Sequence, residues 1–185
     1  MPSSPNLKEI LQEFYTDNNF GEDGNAYNKI AWFDFKVIKI PLPNPKGRQE
    51  ILYIHDLHHL LHNKSTKWSD EVFITGWEIS TGLGTHYMAW VFSFTAFFIG
   101  VFTYPKQLFL GFSKGASTKG IISLNLSKKD LLSLSLEELK SKTLIDIHHN
   151  TKPSFSLVLR FSIFVLISLI IFLLPILLIV RIFVF

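Results

Sequence analysis

The sequence predicts a mainly α-helical protein. A compact helical domain fills residues 1–153, and an apolar C-terminal helix crosses a membrane within residues 154–185. Three observations carry this prediction. Apolar side chains recur at helical spacing between residues that open or close helices. Four histidines fall between His55 and His62, ahead of a segment with two glutamates on one face. Finally, Phe161 to Val180 is free of charge and bracketed by Arg160 and Arg181.

The composition narrows the options before any element is placed. Of 185 residues 48% are apolar and 18% charged, against about 25% charged in an ordinary soluble domain, so a disordered chain is excluded and a lipid environment is indicated. The absence of cysteine removes disulfides, thiol nucleophiles and thiolate metal sites, leaving His, Asp and Glu as metal ligands. The net charge of +3 is unevenly spread: residues 1–87 carry 8 basic and 11 acidic groups, residues 106–160 carry 9 and 4. The basic half suits an anionic lipid surface, and no nucleic-acid motif is present. With Lys8, Glu9, Glu13 and Asp17 breaking any apolar run, the N-terminus reads as cytosolic rather than as a targeting signal.

In chain order, Asn6 and Glu9 have the spacing of a capping box, with Leu7, Ile10, Leu11 and Phe14 forming the apolar face of a first helix. Phe33, Phe35 and Val37 alternate with Asp34, Lys36 and Ile38 and allow a short strand. Pro41, Pro43 and Pro45 impose an extended run into a helix over Lys46 to His62, closed by Asn63. A helix from Ser69 to Ser80, opened by Ser69 or Asp70 and closed by Gly82 and Gly84, follows a turn through Lys64, Ser65, Thr66 and Lys67. Met88 to Tyr104 is nearly all apolar and reads either as a buried or monotopic helix or as a span. Residues 106–153 read as a polar connector with two short helical pieces, the second capped at Ser135 and Glu138. Phe161 to Val180 is twenty residues and so about 30 Å of helix, the thickness of a bilayer core, with Pro175 tolerable within it.

The chemistry concentrates in one helix pair. At about 100° per residue, His59, His62 and His58 fall near +40°, −20° and −60° of His55, with Asp56 near +100°, while Ile54, Leu57, Leu60 and Leu61 occupy the other half. On the next helix Glu71, Thr75 and Glu78 share a face. Buried carboxylates facing imidazoles are costly without a cation, and a divalent ion satisfies both, which favours a metal-binding helix pair over a merely solvated polar face. The expected metal ligands are His55, Asp56, His59 and Glu71. His58 and His62 are expected behind them or at the surface, and Glu78 is the reserve ligand or catalytic proton carrier. His86 and the pair His148-His149 read as structural or exposed. Two histidines with carboxylates suit Zn2+, and also Fe2+ or Mn2+.

His55-Asp56-Leu57-His58-His59, eleven residues, then Glu71 resembles the H-D-x-x-H, eleven, E motif of the ubiquinone (coenzyme Q) biosynthesis protein 4 family. The resemblance takes in Pro41-Leu42-Pro43-Asn44-Pro45 and the stretch from Glu71 to Trp90, and covers about residues 30–144. It implies a mainly helical fold and a divalent metal, usually zinc, at His55, Asp56, His59 and Glu71. It also implies a place on the membrane that stores a polyprenyl quinone precursor, a lyase-type role in oxidative decarboxylation of that precursor's ring, and contact with other quinone biosynthesis enzymes. The C-terminal apolar helix is not part of that family's core, and the chain is shorter than a typical member.

Other readings fare less well. His55-x-x-His58-His59 also spells one histidine box of a membrane di-iron enzyme, but seven histidines do not fill three boxes. A metal-dependent phosphohydrolase needs a histidine ahead of His55, and there is none. The serious rival is a non-enzymatic, membrane-anchored lipid-binding or scaffold protein in which the metal staples two helices. For placement, 17 of the 18 basic residues precede Phe161, which favours a single-pass anchor with the metal domain on the cytosolic face. Single cysteines at Ser65 and at Ser127 should therefore both react with an impermeant maleimide from the cytosolic side; protection of one of them would refute a single span.

Overall fold

The computed structural model describes residues 4–34, 39–144 and 154–184. In chain order these form helix α1 (Leu7–Asp17), strands β1 (Ile30–Asp34) and β2 (Lys39–Pro43), and helices α2 (Lys46–Gln49), α3 (Leu52–His62), α4 (Trp68–Thr81), α5 (Tyr87–Thr103) and α6 (Pro105–Ala116). A 3₁₀ turn (Ile121–Leu124) then leads to α7 (Lys128–Ser133), α8 (Leu136–Thr143) and the long α9 (Phe155–Val184). The mainly helical expectation holds. Phe35 to Ile38 of the expected strand, and His148-His149, lie outside the described residues.

Local chemistry explains most boundaries. Asn6 and Glu9 close a capping box on α1, and Ser135 and Glu138 close another on α8. These two helix starts meet: Leu7 N–H donates to the Leu134 carbonyl at 2.7 Å, so the same backbone contact orients both helices. The antiparallel hairpin pairs Ile30 with Pro43 and Trp32 with Pro41, and a two-stranded ribbon tolerates prolines that lack an N–H to donate. Asn63 takes the left-handed conformation (φ 49°). Lys64 N–H reaches back to His59 O and Asn63 N–H to Leu60 O, the double bond of a Schellman ending.

Three expectations need correction. The single helix over Lys46 to His62 is two helices, because Ile51 N–H bonds three residues back to Arg48 O and Ile54 N–H to Ile51 O, tightening the backbone between them. Neither Ser69 nor Asp70 opens α4. Lys67 stands at that position with no side-chain cap, and the Asp70 carboxylate instead accepts from Ser65 N–H, Ser65 Oγ–H and Lys64 Nζ, locking the α3–α4 turn. The stretch after Pro105 is no polar connector either. Helix α6 packs along α4 with Leu108 and Phe112 wholly buried, while Leu131 of α7 and Leu139 of α8 enter the core beside Leu7, Leu57 and Trp77.

The α4–α6 contact depends on glycine. A Cβ on Gly76 would strike the Leu108 carbonyl, and one on Gly111 would strike the Phe73 carbonyl. The backbones therefore approach as no other residue allows, and Val72, Leu108 and Phe112, all fully buried, fill the flanks at about 1.5–3 kcal/mol each. Gly111→Ala must separate the helices, and a drop in stability of about 1–3 kcal/mol or more, read as a lower thermal midpoint, is expected.

Candidate metal centre

The polar faces of α3 and α4 meet as expected. Their ligand atoms form two groups within bonding reach of a common point: His55, His59 and Glu71, and His55, His58 and Glu78. Hydrogen-bond chemistry separates the two. A carbonyl can only accept, so His59 Nδ1 donates to Ser65 O at 3.0 Å, which leaves a lone pair on Nε2. Glu78 Oε1 accepts from His55 Nδ1 (2.9 Å) and His58 Nδ1 (2.8 Å), and its Oε2 accepts from Ser93 Oγ of α5 (2.8 Å). Three donors occupy Glu78, so it orients imidazoles; Glu71 is the carboxylate left facing two ring nitrogens.

The first group has the spacing of a coordination sphere. His55 Nε2 lies 3.3 Å from His59 Nε2 and 3.2 Å from Glu71 Oε2, and His59 Nε2 lies 3.4 Å from Glu71 Oε1. Ligand atoms about 2.0–2.1 Å from a tetrahedral ion stand about 3.3 Å apart, which matches each of these separations, with the two imidazoles facing different oxygens of the Glu71 carboxylate. His55 and His59 each turn one nitrogen to the triangle and secure the other on a carboxylate or carbonyl, the arrangement that fixes tautomers in metal-ligating histidines. The donor set fits a divalent cation.

Electrostatics agree. Burial would strip His55 of its proton, yet Glu78 and Glu71 outweigh it and hold the imidazole well above its ordinary value. Burial would likewise raise both glutamates, but His59 and His55 bring Glu71 down to about 2, and His55 and His58 hold Glu78 far below the usual carboxylate range. His55 Nε2 thus turns its proton toward Glu71 and His59. Replacing that proton with a dication balances Glu71, Glu78 and Asp56 against the ion and Arg48, whose guanidinium feels both Asp56 and Glu71.

Of the four expected ligands, three converge. Asp56 lies beside them but belongs to neither group: its Oδ2 accepts from Tyr15 OH of α1 at 3.0 Å. Burial pushes Asp56 up to about 6 against the pull of His55 and His59, while burial and Asp56 push the Tyr15 phenol up. His58 and His62 are not surface groups. His58 is buried, edge-on to Trp77, with Nε2 lacking a partner and burial holding the ring neutral. His62 packs edge-on to Phe73 and Trp77, and burial, then His58, Lys114 and Lys64, press it down to about 3. His86 is exposed at the start of α5. Sequence reasoning gave no role to Tyr15 or Arg48. Ser93 had a signal, a hydroxyl inside an otherwise apolar helix.

The triangle forms part of the wall of a cavity of about 510 Å³, within the range of small-molecule sites. Ile30 and Trp32 of the hairpin and Phe92 and Ala96 of α5 supply apolar lining. Comparisons with protein-family models, with curated proteins and with solved structures find no match to this chain. Tyr15→Phe deprives a buried carboxylate of its donor, and a loss of about 1–3 kcal/mol in chemical denaturation is expected.

Proposed function

We propose that this chain is a membrane-associated, metal-dependent protein acting on a hydrophobic ring compound that carries a carboxylate or phenolate, in the manner implied by its resemblance to the ubiquinone biosynthesis protein 4 family. The observation that carries the reading is the 3.2–3.4 Å triangle of His55, His59 and Glu71 set in a largely apolar cavity. These three residues would hold the ion, with Asp56 the fourth candidate. A divalent ion, Zn2+ or alternatively Fe2+ or Mn2+, would supply Lewis acidity toward an oxygen of the bound ring.

The chain's own residues have distinct parts in this reading. Trp32, Ile30, Phe92 and Ala96 offer an apolar wall to the hydrophobic portion of the substrate. Glu78, expected as the reserve ligand or a proton carrier, has both oxygens engaged by His55, His58 and Ser93 and stays ionised, so its part is to orient the imidazoles. The reaction proposed is the one the resemblance implies: the bond from ring to carboxylate breaks, carbon dioxide leaves and a hydroxyl takes its place. This two-electron oxidation balances with dioxygen as the acceptor and water as the source of the hydroxyl, the dioxygen leaving as hydrogen peroxide. The cavity favours this over a metal that only staples two helices, which needs no space beside it; a non-enzymatic lipid-binding protein would use the same space, and the cellular experiment below separates it from the enzyme. Helix α9 is long and apolar enough to cross a membrane, which suits a long-tailed substrate.

His59→Ala and Glu71→Ala should each abolish metal binding in the purified protein. Glu78→Gln should weaken it by about 10–100-fold with the helical circular-dichroism spectrum unchanged. In cells, His59→Ala and Glu71→Ala should cause a carboxylated prenyl-ring precursor to accumulate. Metal loss with normal quinone levels would support the scaffold reading instead.

A further inference from the structure

Helix α9 does not stand apart from the domain. After the turn bearing Arg160, whose guanidinium lies over the Phe112 ring, Phe161 packs on Phe97, Phe109 and Phe112, Phe164 on Phe94, and Phe172 on Phe98. Phe172 is twelve residues past Arg160, so its stacking on Phe98 (4.9 Å between centroids) takes place about 18 Å along the helix from that charge. An arginine at the start of an apolar helix belongs at the headgroups. If α9 enters a bilayer there, Phe98 lies within the hydrocarbon, and α5 lies there with it.

The chemistry of α5 agrees with that depth. From Ile79 to Pro105 the chain has no Asp, Glu, Lys or Arg. Outward-facing Val91 and Phe102 are 52% and 64% exposed, an apolar surface that no other part of the chain covers among the described residues. The hydroxyls of Thr95 and Thr103 bond back to the carbonyls of Val91 and Ile99, leaving no polar hydrogen to be hydrated. Tyr87, Trp90 and Tyr104 stand at the helix ends, where amphipathic aromatics meet a membrane interface.

Helix α5 nevertheless does not cross. Its 17 residues extend about 26 Å, short of a hydrocarbon core. Trp68 at the start of α4 donates to Thr103 at the end of α5, and α4 and α6 run beside it bearing Asp70, Glu71, Glu78, Lys106 and Lys114. A spanning α5 would drag those charges into lipid.

We infer that α5 is a second membrane-embedded element, a monotopic helix that packs against α9 without crossing the bilayer, with Val91 and Phe102 facing acyl chains. The inference rests on α9 being the membrane anchor of the proposed function. It makes α5 the partition between the leaflet and the metal centre: Ser93 on its inner side holds Glu78 while its outer side meets lipid.

The cysteine-free chain permits a direct test with the full-length protein in phosphatidylcholine vesicles. Nitroxides are placed singly at Val91→Cys and Phe102→Cys, at Leu166→Cys on the exposed side of α9, and at Glu137→Cys as the aqueous reference. Collision with dissolved oxygen and with a water-soluble nickel chelate is then measured by electron paramagnetic resonance. The expected result is an oxygen-to-nickel ratio at residues 91 and 102 matching residue 166 and about tenfold or more above residue 137. A ratio at 91 and 102 like that at 137, with 166 in lipid, overturns the inference and leaves the anchor standing. Low collision with both reagents at 91 and 102 points to a protein partner, such as a second copy, and also overturns it. An aqueous ratio at 166 removes the anchor and the inference together.

Discussion

The buried carboxylate of Glu78 is the constraint on which the centre of this structure depends. An ionised carboxylate that has lost its water needs donors on both oxygens. Glu78 finds two on α3, through His55 and His58, and a third on α5, through Ser93. One side chain of α4 thereby fixes the rotation of both neighbouring helices and the tautomer of two imidazoles. The cost of leaving any of these groups unpaired in the interior exceeds what a typical hydrogen bond contributes in net stability. The polar cluster therefore specifies how the helices sit as much as it strengthens their packing.

Around that cluster the helices divide the labour. The α4–α6 contact, close because Gly76 and Gly111 lack side chains, gives α4 a rigid back. The α3 helix presses Leu57 and Leu61 into a separate core shared with α1, α7 and α8. Each of His55, His59 and Glu71 is thus carried on an element packed from behind, which is what holds their side-chain atoms at fixed separations. The turn between α3 and α4 belongs to the same arrangement. Asp70 locks Ser65, and the Ser65 carbonyl orients His59.

Hydrophobic packing connects this centre to the long apolar helix α9. Phe94, Phe97 and Phe98 of α5 pack on α9, while Phe92, Ser93 and Ala96 of the same helix line the cavity beside the histidine–glutamate cluster. A single helix is therefore apolar toward α9 and, on its other side, supplies the one hydroxyl that Glu78 requires. The abundance of phenylalanine, 18 residues, is what builds the aromatic layer between the two.

By itself the sequence determined the features that depend on neighbours along the chain. Both capping boxes, the left-handed stop at Asn63, the helical run of the charge-free C-terminal segment and the shared face of His55, His59 and Glu71 follow from residues within a few positions, or one helix pair, of one another. What it left undecided depended on distant contacts. Tyr15 reaches Asp56 from 41 residues away and Ser93 reaches Glu78 from 15, and no local periodicity announces either bond. His58 and His62 are expected either behind the ligands or at the surface, and the sequence does not choose between the two; Trp77 and Phe73 from α4 pack on them, and His58 stands behind His55 on Glu78. Residues 106–116 looked like a connector because lysines and glycines dilute the apolar signal. Only against the backbone of α4 do Gly111 and Gly115 become the reason for a close helix contact, since a missing side chain matters only when something else fills its space.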